Sequence, residues 1–170
     1  MVSGSSVLQL PVDRKACVLV VVDETDRGRR TLEVTLDLAR RLEAGVVAQG
    51  IVERSVCRGG SWEAPRAAEM RVRVDGALES LRTAGMPAHG EVSIVPRGGA
   101  AHAIAELAED ANADLIVLAG ARFPRLAAVV GANTADGVEA RTARPLLVVP
   151  PVRRGRAADP PGGAWRPAPV

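Results

Sequence analysis

Between Gly120 and Thr134 the chain carries the residues best suited to hold an anion: Gly120 at the end of an apolar run, Gly131 further on, then Asn133 and Thr134. A phosphate cradle needs backbone N–H groups aimed at the anion, and glycine lets the chain approach closely and take positive φ. Asn133 or Thr134 can cap a short helix, and an asparagine there can donate a hydrogen bond to phosphate. The middle of the loop works against this chemistry. Phe123 has a bulky side chain, and Pro124 has no N–H and pushes Phe123 toward extended geometry. Glu24 and Asp26, partly offset by Arg27, Arg29 and Arg30, lie after the first apolar run, so a polyphosphate would meet a mixed field.

Other chemistries have no residues to carry them. Cys17 and Cys57 lie far apart and form neither a ligand-spaced pair nor a redox motif. His89 and His102 are isolated from any nucleophile or ligand set and read as surface or helix-end residues. No Gly-x-Ser-x-Gly elbow, Walker loop or pair of histidines is present. The sequence offers no catalytic group and no metal site, and the chain is expected not to be an enzyme.

The elements that must position the loop follow from periodicity. Cys17 to Val22 and Leu115 to Ala119 are short uninterrupted apolar runs, as expected of strands buried on both faces. Between about Arg29 and Leu42, the residues Leu32, Thr35, Leu38, Ala39 and Leu42 recur at three and four, predicting a helix that Gly45 ends. Val46 to Val52 reads as a second strand. Arg54 to Pro65 reads as a loop, and a helix follows with Met70, Val74, Ala77, Leu78 and Leu81 on one face, stopped by Gly85 and Pro87. Val92 to Val95 is the third strand, and Ala100, Ala103, Ile104, Leu107, Ala108 and Ala111 form the stripe of the next helix. Leu146 to Val149, after Pro145, is the last strand. Strands alternate with helices throughout, so the sheet is expected to be parallel and covered on both faces.

Composition bounds the rest. A chain of 170 residues is most simply one domain, and with 47% hydrophobic but 2% aromatic residues its core must be built from Val, Leu, Ile and Ala. So few aromatics leave little surface for stacking bases. The formal charge of +2 comes from the tail, where Arg153, Arg154, Arg156 and Arg166 against Asp159 give +3 and leave −1 for residues 1–150. The folded part has no basic excess, and no nucleic-acid partner is expected. Residues 1–15 read as a flexible N-terminal arm, and residues 151–170, rich in Pro, Gly and Arg, as a disordered tail. No run is long enough to cross a bilayer, so no membrane association and a cytoplasmic location are expected.

Three stretches carry a family resemblance. The segment ADLIVLAGARFPRLAAVVGANTADGVEARTARPLLVVP resembles the loop and last strand of universal stress proteins, whose pattern is Gly-x-x-Gly, nine residues, then Gly with Ser or Thr. CVLVVVDETDRGRRTLEVTLDLARRL is similar to that family's first strand, acidic turn and first helix, and VPRGGAAHAIAELAEDANADLIVLAG to its third strand, helix and fourth strand. The resemblance covers residues 16–150. It implies an α/β fold: a single Rossmann-like three-layer domain, with about five parallel strands in the order 3-2-1-4-5 and helices on both faces. Ligands of such sheets bind beyond the carboxyl ends of the strands, where the order reverses.

The resemblance also implies site residues. In nucleotide-binding members the acidic residue after the first strand contacts the adenosine end and an apolar residue late in the second strand lines the base. Those positions are here Asp23 and Ile51. Gly120 matches the fourth-strand glycine, Arg122 an arginine found next in the loop, Gly131 the last glycine, and Asn133, with one residue gapped, the hydroxyl residue. The chain departs from the pattern where Phe123 replaces the second glycine and where only seven residues separate it from Gly131. Two functions follow. One is a regulatory or interaction module in stress response with nucleotide binding weak or lost, no firm cofactor and an unidentified protein partner; the other is a ligand-dependent regulator binding ATP or another adenine nucleotide. A nucleotide-hydrolysing or nucleotidyl-transferring relative would show His-rich or Ser-Gly-Gly signatures near the first strand, and VVVDETDRG has neither. The family often dimerises through its last strand, so a homodimer through the edge strand Leu146–Val149 is expected.

Overall fold

The computed structural model describes residues 16–22, 27–54, 56–57, 60–61, 63–120 and 134–150. Their order is β1 (Cys17–Val22), α1 (Arg27–Leu42), β2 (Gly45–Arg54), β3 (Val56–Cys57), β4 (Gly60–Ser61), α2 (Glu63–Thr83), β5 (Ala88–Pro96), α3 (Ala100–Asp110), β6 (Leu115–Ala119), α4 (Thr134–Glu139) and β7 (Leu146–Val149). Five strands form one sheet in the order β5-β2-β1-β6-β7, every neighbouring pair parallel. This is the expected 3-2-1-4-5 order, with β5 and β7 at the edges.

Parallel strands buried on both faces explain the apolar runs: Val18, Leu19, Val20, Ile116 and Val117 are all buried. Alternate residues point to opposite faces and build two cores. Val18, Val20, Val46, Ala48 and Val52 pack with Ala39 of α1 and Met70, Val74, Leu78 and Leu81 of α2. Cys17, Leu19, Val47, Ile116 and Leu118 pack with Ile104 and Ala108 of α3 and Ala135 and Val138 of α4.

Helix ends set where each strand begins. α1, α2 and α3 are each followed by a residue in the left-handed region: Glu43 (φ 51), Gly85 (φ 81) and Asn112 (φ 47). Each turn is closed by an amide reaching back to a helix carbonyl, Ala44 N to Ala39 O, Met86 N to Leu81 O and Ala113 N to Ala108 O. Gly45, expected to end α1, is instead the first residue of β2, and Glu43 makes the turn.

Three other expectations are corrected. The stretch read as a loop from Arg54 to Pro65 holds the antiparallel pair β3 and β4, and α2 already begins at Glu63. Pro65 sits in its first turn, where the missing N–H would have had no partner anyway. Leu42, expected on the buried stripe of α1, is 45% exposed because the helix ends there, whereas Thr35 is buried and returns its hydroxyl to Thr31 O at 2.7 Å. The third strand is longer than Val92–Val95 and includes His89. Its outer alternation of polar and apolar residues hides an edge strand from a search for apolar runs.

Candidate functional site

The strand ends that converge on the crevice can be read from the register. Val22 of β1 pairs with Gly50 of β2, and Val20 pairs with Val117 of β6. Ile51 follows Gly50, the partner of the last residue of β1, and Gly120 follows the last residue of β6, so both stand at strand positions beside the carboxyl end of β1. The side chains of Asp23, Arg122, Gly131 and Asn133 lie outside the described residues, as do Phe123 and Pro124. Of the six residues expected at the site, the structure therefore places Ile51 and Gly120, and it brings them to the same end of the sheet.

This upper end is apolar and built from small groups. Ile51, Val21, Val148 and Ala101 are half-buried at the rim of the α3/α4 core. Val21, Ala101 and Val148 were not singled out from the sequence; their signal was the two-residue alternation that puts Val21 on the same face as Leu19. Gly120 donates its N–H to Val149 O at 3.1 Å, which extends the β6–β7 ladder by one residue. A Cβ on Gly120 would stand 2.9 Å from Val148 Cγ1, and its φ lies outside the left-handed region. Packing against Val148 thus accounts for glycine here.

The same closeness recurs beside it. α4 approaches α3 so nearly that a Cβ on Gly137 would stand 2.8 Å from the Cβ of Ala101. Thr134, a candidate cap in the sequence, is the first residue of α4. The N-terminus of α3 follows Gly98 (φ 78) and Gly99, with no side-chain cap; Gly98 N donates to Glu53 Oε1 at 3.0 Å. The helix terminus is therefore neighboured by a carboxylate.

A denser set of charged hydrogen bonds lies at the other end of the sheet. Cys17 N donates to Asp114 Oδ2 at 2.7 Å, and Asp114 N to Cys17 O at 2.8 Å. Arg144 donates from Nε and Nη2 to Glu109 Oε2 at 3.1 and 2.8 Å, from Nη2 to Asn112 Oδ1 at 3.1 Å and from Nη1 to Ala113 O at 3.1 Å. The hydrogen bonds from Arg144 and Thr142 hold the Glu109 carboxyl below its ordinary pKa. Burial, with a smaller effect of Asp114, pushes the Cys17 thiol up to about 11, so it is protonated and inert at neutral pH. Cys17 is a free, buried thiol.

His102 is exposed and lies 3.3 Å from Glu106 Oε1, as a helix-surface residue should. His89 corrects the expectation: it lies on β5, and its Nε2 is enclosed without a hydrogen-bond partner. A surface groove of about 440 Å3 runs along α3, lined by His102, Ala105, Glu106, Glu109, Asp110 and Arg141, and includes neither Ile51 nor Gly120. Among the described residues no cluster of His, Cys, Asp or Glu could hold a metal ion, and no helix is long and apolar enough to cross a membrane.

With this geometry, the comparison with known proteins is specific. The model of the universal stress protein family matches residues 17–150. The chain belongs to the universal stress protein family. Among solved structures it is similar to a universal stress protein in complex with cAMP, at 18% identity, covering 79% of this chain and 95% of that one with a TM-score of 0.63. A family member from Burkholderia pseudomallei aligns at 19% identity over 83% of this chain and all of its own length (100%), also with a TM-score of 0.63. The universal stress protein from Archaeoglobus fulgidus in complex with dAMP aligns at 21% identity over 78% of this chain and 96% of its own, with a TM-score of 0.57. At these identities the likeness speaks for the fold. No significant match is found among curated proteins.

Proposed function

We propose that this universal stress protein is a non-enzymatic, cytoplasmic regulatory or interaction module of the stress response in which the grip on nucleotide phosphates is weak or lost. The observation that carries the reading is the Phe123–Pro124 pair in the loop after Gly120. Proline removes one N–H from the cradle, and the residue before it is steered toward extended geometry, where a bulky side chain replaces glycine. Each lost hydrogen bond to a charged group costs about 1.5 to 3 kcal/mol, roughly ten- to a hundredfold in affinity. The packing role of Gly120 against Val148 supports the same reading, since the glycine retained from the motif is explained without a ligand.

Thermal unfolding with and without millimolar ATP, ADP, AMP and cAMP tests it. A ligand present at a hundred times its Kd adds about 2.7 kcal/mol of stability, so genuine binding is visible as a rise in Tm. No rise is expected with any of the four, and a clear rise would overturn the reading.

One observation favours a second reading, binding of ATP or another adenine nucleotide: Ile51 and Gly120 lie at the same end of the sheet on the two strands flanking β1, and two structures of this fold were solved with cAMP and dAMP. On that reading Asp23, Ile51, Gly120, Arg122, Gly131 and Asn133 form the pocket, and Asp23→Ala abolishes a Tm shift that the native chain shows.

The proposed partner is a second copy paired along β7, which stands at the sheet edge with its outer backbone groups free of β6. A monomer mass by light scattering at micromolar concentration would refute the homodimer. An unidentified protein is the further partner of a regulatory module; nucleic acid and membrane are not.

A further inference from the structure

Edge strand β5 carries a ring whose surroundings oppose its protonation. His89 stands opposite Val47 of β2, on the face where Val47 packs with Ile104 and Ala108 of α3. Its Nε2 and Gln49 Oε1 are the two buried side-chain polar atoms without a hydrogen-bond partner among the described residues. Arg82, in the last turn of α2, donates from Nε and Nη2 to the carbonyl of Ala88 at 3.0 and 2.9 Å, which fixes a guanidinium beside the residue preceding His89. A neutral imidazole can leave one enclosed nitrogen as a bare lone pair. A protonated one must enclose an N–H with no acceptor, and must do so next to a fixed cation.

The charged groups that act on the ring are Arg82 from α2 and, in the opposite sense, Glu91 from β5 itself. Val47 across the ladder and the α3 side chains pressing on this face, Ile104 and Ala108, carry no charge. Burial comes first and Arg82 second, both lowering the pKa of His89 below its ordinary 6.5, and Glu91 offsets them only in part.

We propose that His89 makes β5 an acid-releasable edge: a charged ring weakens the seat of this strand against β2, so acidification favours opening of β5 while β7, the opposite edge, stays paired. Opening frees the ring to take a proton in water. The stability that the neutral ring secures is fully present above the unfolded pKa of about 6.5 and is lost as pH falls through the lower folded value. One proton permits at most about a tenfold change in the opening equilibrium per pH unit.

Amide hydrogen exchange on the full chain, at a series of pH values from about 7.5 to 5 and corrected for intrinsic exchange, reads this directly. Protection across Ala88–Pro96 is expected to fall below about pH 6.5, by up to about tenfold per unit, with Leu146–Val149 unchanged. In His89→Gln the β5 amides should lose this dependence. Proton NMR titration supplies an independent readout, in which the His89 ring is expected to titrate below the ordinary 6.5. Should His89→Gln misfold, Arg82→Gln keeps the ring and removes the guanidinium, which should raise the titration of His89 and shrink the acid dependence of β5. Equal pH trends in β5 and β7, an unchanged trend in a folded His89→Gln, or a His89 ring that titrates at or above the ordinary histidine value would each overturn the proposal.

Discussion

The two ends of the sheet are built on different terms. At the lower end, where the strands begin, charged side chains tie elements together: Asp114 holds the amide of Cys17, and Arg144 joins the approach to β7 to α3 and to the turn before β6. At the upper end, where the strands stop, the Glu53 carboxylate takes the amide of Gly98, but the packing beside Gly120 is apolar or backbone-to-backbone, and close approach is secured by leaving out Cβ atoms at Gly120 and Gly137. The contrast teaches a division of labour. The charged clamps are concentrated at the end away from the crevice, so substitutions there are expected to cost more stability than those beside Gly120.

The strongest way to break this comparison is Arg144→Ala, which removes hydrogen bonds to Glu109, Asn112 and Ala113 at once. It is expected to lower Tm more than any of the substitutions below, as measured by calorimetry. Its effect should depend on acid. Because Arg144 lowers the pKa of Glu109, the stability due to the pair is present above the carboxyl's unfolded value of about 4.5 and disappears as pH falls through the folded value. The gap between the Tm curves of native and variant chains should therefore narrow in strong acid, to what the hydrogen bonds to Asn112 and Ala113 contribute, and a constant gap would show that the ion pair is not the source.

Asp114→Ala comes next, leaving the amide of Cys17 without its acceptor at the start of the central strand. About 1 to 3 kcal/mol of stability should be lost in urea titrations. At the upper end Gly120→Ala is expected to cost about 1 kcal/mol through crowding of Val148, at the low end for overpacking. Val148→Ala in the same chain should make the added Cβ harmless; a cost that persists would assign Gly120 a role other than packing. The smallest effect is on Cys17 chemistry. With a pKa near 11, native Cys17 should resist alkylation at pH 8 until the chain is unfolded in denaturant, and rapid labelling would show the lower end to be open.

Much of the fold was legible because it rests on simple periodicities. The runs Cys17–Val22 and Leu115–Ala119 are apolar on both sides, and only a strand covered twice requires that. What escaped detection depended on tertiary context. Glu43 and Asn112 take the left-handed turn that composition reserves for glycine, because a reach-back hydrogen bond and the next strand hold them there. His89 escaped because β5 alternates polar and apolar residues, so nothing in the sequence told that its ring nitrogen would be enclosed. At the site, Ile51 and Gly120 were legible through family resemblance, and their placement at the same end of the sheet came only from the register. The clamp at Arg144 was invisible in sequence: its partners lie more than thirty residues away, at Glu109, Asn112 and Ala113.

The parallel arrangement also gives the molecule a polarity that matters at the bench. β1 starts at the clamped end and β7 stops at the crevice end, so the chain enters the sheet at one pole and leaves it at the other. A label at Pro150 therefore reports on the crevice pole, and one at Ala16 on the opposite pole.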